Sequence, residues 1–309
     1  MSRPSRTKRD FLRLTDLDRG EVLALLERAA EWKLLGRNGP RPLQGMTLGL
    51  LFEKASTRTR VSFAVACHQL GAFEVTLTPQ DTQLGRGEPI KDTARVLARY
   101  LDGLVVRTFA HAKLEEMARN ADIPVVNALT DASHPCQLLA DLLTVAERLG
   151  HDQLARGAVS VAWVGDGNNM ANSWLEAAAV LGFELRLACP AGYDPDPELL
   201  ARASGRARLT RSPREAVAGA QVVTTDVWAS MGKEAEAEER RLRFQGFQLD
   251  RRLLSAADPR AIVLHCMPAH RGEEIAEDVL EGPQSAVLDE AENRLHAQKA
   301  LLEFLLAGR

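Results

Sequence analysis

Patterns typical of β-strands and α-helices alternate along nearly all of this 309-residue chain, and no other feature constrains its fold as strongly. Short apolar runs predict buried strands at residues 46–52, 73–77, 103–107, 124–128, 159–164, 184–188, 222–225 and 262–265. Helical spacing of apolar residues predicts helices at 15–36, 57–70, 92–101, 113–120, 135–150, 172–181, 213–218 and 292–306. A further short strand is predicted at 286–288.

This alternation predicts an α/β fold with two doubly wound domains, each with a parallel sheet flanked by helices. The predicted helix at 135–150 makes a natural bridge between a domain at 1–148 and one at 149–290, and a C-terminal helix at 291–309 returns to the first domain. Ligands of such sheets bind beyond the carboxyl ends of the strands, so we expect an active site in the cleft between the domains. In the first helix, the buried face is expected to comprise Leu23, Leu26, Ala30 and Leu34.

Composition and charge narrow the class of protein. The formal net charge of −3 gives no basic excess for nucleic acid. Four widely spaced cysteines indicate thiols in a reducing compartment, because neither a disulfide framework nor a zinc motif is present. The basic, polar start lacks the apolar segment of a secretory signal, and no apolar run approaches the ~18 residues of a membrane span. We therefore expect a cytoplasmic protein with no membrane or nucleic-acid partner.

Five consecutive polar residues follow the first predicted strand, and we call them the polar turn: Ser56, Thr57, Arg58, Thr59 and Arg60. Free backbone N–H groups and the dipole at a helix start favour an anion there. Hydroxyl groups add donors, and an arginine adds a bidentate fork for phosphate oxygens. The alternative is an ordinary N-cap with solvated arginines. Five polar residues exceed what a cap requires, so the residues themselves favour an anion site.

Several other polar residues have a plain structural interpretation when taken alone. Arg107 is an arginine at a strand exit, His134 a structural histidine, and Gln83 part of a surface loop. Cys266 follows a strand, where a buried thiol is usually inert packing. Asp226 suits either an Asx-type turn or a substrate ammonium group.

Two charged segments near the C-terminal end are expected to be solvated or to begin a helix. Residues 233–243 predict a mobile loop or an exposed helix, in which Arg240 and Arg241 are solvated rather than catalytic. Residues 290–294 precede the predicted final helix, where Glu side chains favour the helix dipole.

The turn with Gly165, Asp166 and Gly167 invites a dinucleotide-binding interpretation. The glycine fingerprint is incomplete, because Met170 occupies its third position, and the next strand ends without the acidic residue expected for a ribose. A non-enzymatic protein that binds a dinucleotide or a small anion is therefore the weaker alternative.

Longer motifs resemble the aspartate/ornithine carbamoyltransferase family. The polar turn, followed by Ser62 and Phe63, is similar to the family's carbamoyl phosphate signature. His-Pro-Cys-Gln at 134–137, followed by Leu-Leu-Ala-Asp, resembles its second signature, about 75 residues later. Asp-x-x-x-Ser-Met-Gly at 226–232 and His-Cys-Met-Pro at 265–268 look like the ornithine-type motifs, with Met267 in place of the commoner leucine. The resemblance covers about residues 10–306.

The resemblance implies a set of site residues. The catalytic residues would be Arg107, His134, Cys266 and Thr59. Carbamoyl phosphate would be bound by Ser56, Thr57, Arg58, Thr59, Gln83, Arg107, His134, Pro135, Cys136, Gln137, Cys266, Met267 and Arg294. Ornithine would be bound by Asn169, Asp226, Ser230 and Met231. Neither a metal nor an organic cofactor is implied.

The same resemblance implies the reaction and the assembly. A carbamoyl group would pass from carbamoyl phosphate to the δ-amine of L-ornithine, giving L-citrulline and phosphate in arginine metabolism. Putrescine or N-acetylornithine is the alternative acceptor. The domain at 1–148 would bind carbamoyl phosphate and that at 149–290 ornithine. The expected assembly is a homotrimer, or an assembly of trimers, in which Gln83 reaches a neighbouring subunit's site.

Overall fold

The computed structural model describes residues 8–80, 82, 87–229 and 236–308. The chain forms two compact units. Unit 1 comprises Met1–Leu17, Glu27–Cys136 and Leu295–Arg309, and unit 2 comprises Asp18–Leu26 and Gln137–Arg294. Three of the boundaries between the units fall within helices.

A four-stranded parallel sheet forms the centre of unit 1, in the order β2-β1-β3-β4. Its strands are β1 (Thr47–Phe52), β2 (Phe73–Leu77), β3 (Gly103–Arg107) and β4 (Val125–Leu129). All five residues of β3 are buried, as expected for an inner strand of a parallel sheet covered on both faces. In the register, Phe52 at the end of β1 lies beside Arg107 at the end of β3, so both strands end at the same edge.

A five-stranded parallel sheet forms the centre of unit 2, in the order β7-β6-β5-β8-β9. Its strands are β5 (Ser160–Val164), β6 (Glu184–Ala188), β7 (Ala207–Thr210), β8 (Val222–Thr225) and β9 (Ile262–His265). The chain order reverses between β5 and β8, the kind of switch point at which ligands bind open α/β sheets. The carboxyl ends of these two strands lead to Gly165 and Asp226.

Helices connect the strands in both units. They are α1 (Arg19–Leu35), α2 (Arg58–Leu70), α3 (Ile90–Tyr100), α4 (His111–Asn120), α5 (Pro135–Leu149), α6 (His151–Ala155), α7 (Asn169–Leu181), α8 (Pro197–Arg202), α9 (Pro213–Val217), α10 (Ala237–Arg243), α11 (Arg251–Leu254), α12 (Glu277–Leu280) and α13 (Val287–Ala307), with a short 3₁₀ helix at Leu14–Asp16. Within the described ranges, none of these helices is both long and apolar enough to cross a membrane.

The predicted α/β alternation is confirmed, with corrections at three places. The strand predicted at 286–288 is wrong, because α13 begins at Val287 and only Ser285 bridges to β9. Residues 290–294 therefore lie inside α13 rather than before it. The structure also adds β7 and the short helices α6, α8, α11 and α12, which we did not predict. Three of the four β7 residues are only half-buried, and this edge strand lacks the apolar run that marked the inner strands.

The predicted buried face of α1 is confirmed at Leu26, which is 1% exposed, and wrong at Leu34; Leu23 and Ala30 are half-buried. Leu34 is 90% exposed, whereas Val22 and Trp32 are fully buried. The indole Nε1 of Trp32 donates to Glu303 Oε2 at 2.8 Å, and Arg28 forms an ion pair with the same carboxylate. Burial of the large Trp32 side chain with its polar partner therefore sets which face of the helix points inward.

Candidate functional site

The polar turn lies between the end of β1 and the start of α2. Thr57 is the N-cap residue, with φ −80° and ψ −57°, and among the described residues its hydroxyl makes no capping hydrogen bond. The N-cap alternative for this hydroxyl is therefore not realised. The first N–H groups of a helix lack intrahelical partners, so this helix start is suited to an anion. Thr59 is buried, whereas Arg58 is half-buried and Arg60 exposed.

Sheet register places Arg107 beside the polar turn. The Arg107 side chain is 5% exposed, and its Nη1 lies 3.5 Å from Thr59 Oγ1. The N–H of Glu53, the first residue after β1, donates to the Arg107 carbonyl at 2.8 Å, which joins the two strand ends. Adjacent strand ends therefore bring a guanidinium and the helix start together in unit 1.

Lys54 is a buried cation of this region that sequence reasoning missed. Its side chain forms an ion pair with Asp131, and its ammonium lies 4.3 Å from the centre of the Phe109 ring. The available signal was its position, because it stands two residues before Ser56 in the loop that follows an apolar strand. Lys54 adds positive charge beside the polar turn.

The His-Pro-Cys-Gln motif lies at the start of α5. His134 is 4% exposed and directly precedes the helix, whose first residue is Pro135. Proline suits this position because the first N–H of a helix has no intrahelical partner. The Cys136 thiol donates to the carbonyl of Asn127 on β4 at 3.2 Å. Cys136 therefore fixes the start of α5 against the sheet of unit 1.

Gln83, Ser230 and Met231 lie outside the described residues. Their predicted roles therefore rest on the family resemblance.

In unit 2, Asp226 follows β8 and is held by three donors. Its Oδ1 accepts from the Val227 N–H at 2.8 Å and faces the Cys266 thiol at 3.2 Å, and its Oδ2 accepts from Asn168 at 2.8 Å. Asn168 also caps α7 by accepting from the N–H groups of Met170 and Ala171. Asn168 is the second residue that sequence reasoning missed, since only Asn169 was singled out there. Its signal was the asparagine preceding a helical pattern, a preferred N-cap.

The turn before Asn168 requires glycine for steric reasons. A Cβ at Gly167 would lie 2.2 Å from the backbone of Asp194 and Pro195. The close approach explains the Gly-Asp-Gly sequence without a dinucleotide, because the glycine accommodates a neighbouring loop of the same unit.

The Cys266 thiol is held in its protonated form. Burial, followed by the charges of Asp226 and Glu290, raises the pKa of this thiol well above its usual value. A thiol that stays protonated is a hydrogen-bond donor and a weak nucleophile. The arrangement therefore fits a thiol that positions Asp226 better than one that forms a covalent bond.

His265 and Met267 flank this cysteine in a constrained backbone. The Met267 N–H donates to His265 Nδ1 at 2.9 Å, so the other ring nitrogen, Nε2, carries the proton and donates to Glu274 at 3.0 Å. Donor atoms of Asp226, His265 and Cys266 lie within 4.8 Å of one another, as a metal site would require. Both ring nitrogens are already engaged, which favours a scaffold role for His265. Met267 has a φ of +58°, unusual for a residue with a side chain, and its bond to Pro268 is cis.

Four buried side chains of unit 2 form a cluster that we call the carboxyl cluster: Gln137, Asp141, Glu290 and Arg294. The Gln137 amide nitrogen donates to Asp141 Oδ1 and to Glu290 Oε1, both at 2.8 Å. Arg294 Nη1 donates to the Gln137 amide oxygen at 2.6 Å. The His265 N–H donates to Glu290 Oε2 at 2.8 Å, which links the cluster to β9.

Burial shifts both carboxyls of this cluster. It raises the pKa of Asp141 to about 7 and that of Glu290 well above its usual value. Burial thus disfavours ionisation of both carboxyls at once, so the pair holds a proton near neutral pH. Neither Asp141 nor Glu290 was among the predicted site residues.

The prediction that Arg240 is solvated is wrong. This α10 side chain is 4% exposed, and its Nη1 donates to Asp166 Oδ2 at 2.8 Å and to the Trp228 carbonyl at 2.7 Å. Its guanidinium also lies 4.9 Å from the centre of the Tyr193 ring. Arg241 forms an exposed ion pair with Glu273, as a solvated arginine does. The arginine-rich segment therefore contains one buried anchor.

Comparison with known proteins assigns the family. Residues 9–147 match the model of the aspartate/ornithine carbamoyltransferase carbamoyl-P binding domain, and residues 158–305 match that of the Asp/Orn binding domain. The chain is 53% identical over 306 residues to an ornithine carbamoyltransferase of Pelobacter propionicus, covering 97% of this chain and 99% of the relative. It is also 53% identical to an anabolic ornithine carbamoyltransferase of Pseudomonas aeruginosa, covering 96% of this chain and 97% of the relative.

A solved structure agrees with these sequence relatives. Ornithine carbamoyltransferase from Pyrococcus furiosus superposes with a TM-score of 0.93 at 46% identity, covering 99% of this chain and 100% of that one. The two matched domains contain the motifs and the two sheets described above. The relatives match the chain over almost their entire length. The chain is therefore a member of the aspartate/ornithine carbamoyltransferase family.

Proposed function

We propose that this chain is an ornithine carbamoyltransferase, which transfers the carbamoyl group of carbamoyl phosphate to the δ-amine of L-ornithine. The products are L-citrulline and phosphate. The observation that carries the proposal is the contact of Cys266 Sγ with Asp226 Oδ1 at 3.2 Å. These two residues belong to the motifs that distinguish the ornithine type from the aspartate type, and here they act as one unit. Relatives that bear the name ornithine carbamoyltransferase, with 52–54% identity, support the same choice.

In this proposal the polar turn binds the phosphate group. The N–H groups at the start of α2, with Ser56, Thr57 and Arg58, bind phosphate oxygens. Negative charge develops on the carbonyl oxygen in the transition state, and Thr59, Arg107 and His134 stabilise it as donors. Arg107 is well placed to serve phosphate and carbonyl together because its guanidinium carries donors in a planar fork.

The remaining carbamoyl phosphate residues serve the carbamoyl group and its surroundings. The Gln137 amide oxygen accepts from the carbamoyl amine, and Arg294 supports that amide. Pro135 and Cys136 fix the start of α5, while the backbone after Cys266, at Met267, supplies a carbonyl acceptor. Gln83 is assigned to the phosphate on the family resemblance alone.

Ornithine is bound by unit 2 in this proposal. Asp226 faces the substrate amine, and Asn169, Ser230 and Met231 bind the amino-acid end. The δ-amine must lose its proton to attack, although a free alkylammonium titrates near pH 10. The departing phosphate accepts that proton, and much of the rate comes from holding two substrates in reacting positions.

We further propose that the enzyme acts in the cytoplasm as a homotrimer. The exposed large apolar side chains of unit 1 include four that a second copy of the chain would cover: Val61, Phe73, Val96 and Tyr100. Phe73 and Tyr100 are 66% and 74% exposed, unusual for monomeric surfaces when several such residues occur in one unit. Light scattering after gel filtration tests this proposal, and a monomer at micromolar concentration contradicts it.

A substrate panel tests the function. Purified protein is incubated with carbamoyl phosphate and either L-ornithine, putrescine, N-acetylornithine or L-aspartate, and the ureido product is measured by colour. We expect turnover with L-ornithine at least 100-fold above each other acceptor, since the site's polar groups must be paired by the substrate. Arg107→Ala, for which we expect a loss of about 10³-fold, serves as the low-activity reference. A preference for putrescine or N-acetylornithine would move the assignment to another branch of the family.

A further inference from the structure

We propose that Asp141 and Glu290 are positioning residues that fix the orientation of the Gln137 amide, so that this glutamine presents only an acceptor to the acyl group of the substrate. The proposal rests on the proposed role of Gln137 towards carbamoyl phosphate. It assigns a task to two buried carboxyls that the mechanism above does not use.

The hydrogen-bond capacity of Gln137 carries the argument. An amide nitrogen has two protons, and both are used by Asp141 Oδ1 and Glu290 Oε1 at 2.8 Å. The amide oxygen has two lone pairs, of which Arg294 Nη1 takes one at 2.6 Å. One acceptor site is left, and it fits an N–H donor such as the carbamoyl amine.

The reverse orientation of the amide is disfavoured by the same groups. It would place the Gln137 oxygen against the carboxylate of Asp141 and turn the amide protons towards the guanidinium of Arg294. Gln137, Asp141 and Glu290 are each about 1% exposed, so water does not relieve that repulsion. A buried amide between carboxylates and an arginine therefore has one stable orientation.

The protonation state of Asp141 and Glu290 supports a single orientation of the Gln137 amide. Burial raises the pKa of Asp141 to about 7 and, together with the neighbouring Asp141, raises the pKa of Glu290 well above its usual value, so one proton remains on the pair near neutral pH. Other charged or titratable groups acting on the two are Arg294, Asp226 and Cys266. One proton on the pair leaves one ionised carboxylate, which is the stronger acceptor for the Gln137 amide nitrogen.

The consequence is selection of the acyl donor. Acetyl phosphate has a methyl group where carbamoyl phosphate has an amine, so it cannot donate to the free lone pair of Gln137. Fixing that lone pair gains affinity for carbamoyl phosphate and leaves a buried acceptor unpaired when acetyl phosphate binds. Asp141 and Glu290 would thus determine donor specificity without touching the donor.

The test is a double-mutant cycle on Asp141 and Gln137. Asp141→Asn puts an amide amine where the carboxylate was, which lets the Gln137 amide reverse. Gln137→Glu alone crowds a third carboxyl into the cluster. In the double variant the amide nitrogen of the new Asn donates to one carboxylate oxygen of the new Glu. The other carboxylate oxygen of that Glu again accepts from Arg294. Asp289→Asn, on the same helix as Glu290 and half-exposed in an ion pair with Arg148, is the matched control.

Two quantities are measured for each variant: kcat/KM for carbamoyl phosphate with ornithine, and the inhibition constant of acetyl phosphate. Asp141→Asn is expected to lower kcat/KM about 100-fold, with less than about a threefold change in the inhibition constant. The double variant is expected to recover at least about tenfold over Asp141→Asn. Asp289→Asn should match the wild type.

The proposal is overturned if Asp141→Asn weakens inhibition by acetyl phosphate as much as it lowers kcat/KM, or if it leaves kcat/KM unchanged. If Asp141→Asn alone does not fold, the double variant decides, because restored pairing must restore a folded enzyme that favours carbamoyl phosphate. A double variant that is folded but no better than Gln137→Glu also overturns it. Failure of the function itself is distinct, since wild type and Asp289→Asn would then both form no citrulline.

Discussion

The polar turn and the carboxyl cluster manage charge in opposite ways. The polar turn joins a helix start to arginines and stands beside Arg107, so positive charge is gathered there, while the nearby Lys54 is paired with Asp131. The carboxyl cluster balances two buried carboxyls against Arg294 within unit 2 itself. A phosphate can complete the first arrangement, whereas the internal pairs of the second are formed without a substrate and leave one acceptor site of Gln137 open. Substitutions in the polar turn should therefore change ligand affinity and reaction rate. Substitutions in the internal pairs of unit 2 should also lower the stability of the fold.

Removal of Arg107 should have the largest effect. Arg107→Ala deletes a donor for the charge that develops on the carbonyl oxygen, and kcat/KM should fall about 10³-fold. Asp226→Ala should raise the KM for ornithine while the affinity for carbamoyl phosphate, measured by calorimetry, stays close to that of the wild type. Arg119→Ala, an exposed arginine of α4, is the control. Equal weakening of carbamoyl phosphate binding by Arg107→Ala and Asp226→Ala would contradict the division of roles between the two units.

Removal of the Arg240 anchor should act on stability. Arg240→Ala leaves Asp166, 6% exposed, without its guanidinium partner, which should cost about 3 kcal/mol of unfolding free energy in urea. Arg241→Ala is the matched control, because it removes an exposed ion pair one residue away and should leave the unfolding free energy nearly unchanged. Equal losses in both variants would mean that the helix, rather than the buried pair, carries the effect.

The pKa of Asp141 predicts a pH-dependent stability. Its folded value of about 7 lies above the ordinary 3.8, so the folded chain holds a proton that the unfolded chain releases. The stabilisation is complete below about pH 4 and is lost as the pH rises through 7. Between pH 5 and 8 the wild type should lose about 2 kcal/mol of unfolding free energy that Asp141→Asn does not lose. Urea titrations of both proteins at several pH values measure it, and parallel pH curves would disprove it.

The contrast between the two regions also explains what the sequence could predict. The polar turn is contiguous, and its position between an apolar strand and a helical pattern already indicated an anion site. The carboxyl cluster joins α5 to α13 across about 150 residues of chain, and only the fold brings Gln137 to Glu290. Asp141 stood in the second signature, but nothing in the sequence assigned it a partner or a role. Contacts between distant elements are therefore what sequence reasoning missed.

Arg240 and Asn168 illustrate a second limit. In the sequence Arg240 is one of three arginines in a polar segment, and its burial depends on Asp166, Trp228 and Tyr193, which come from separate loops. Asn168 and Asn169 differ only in position, yet the first caps α7 and bonds Asp226. Patterns of residue type thus identified eight of the nine strands of the described chain and most of its helices, whereas the partner of each polar side chain required the three-dimensional structure.

The smallest effect should come from Cys266. Because its pKa is raised well above the usual range, the thiol is a neutral donor to Asp226, and a serine hydroxyl can replace it. Cys266→Ser should keep kcat within about threefold of the wild type, and Cys266→Ala should lose about tenfold, the value of one hydrogen bond to a charged group. Steady-state citrulline formation measures both. A covalent role would instead abolish activity in both variants and leave a carbamoylated cysteine detectable by mass spectrometry in the wild type. The serine variant thus separates a thiol that orients a carboxylate from one that reacts.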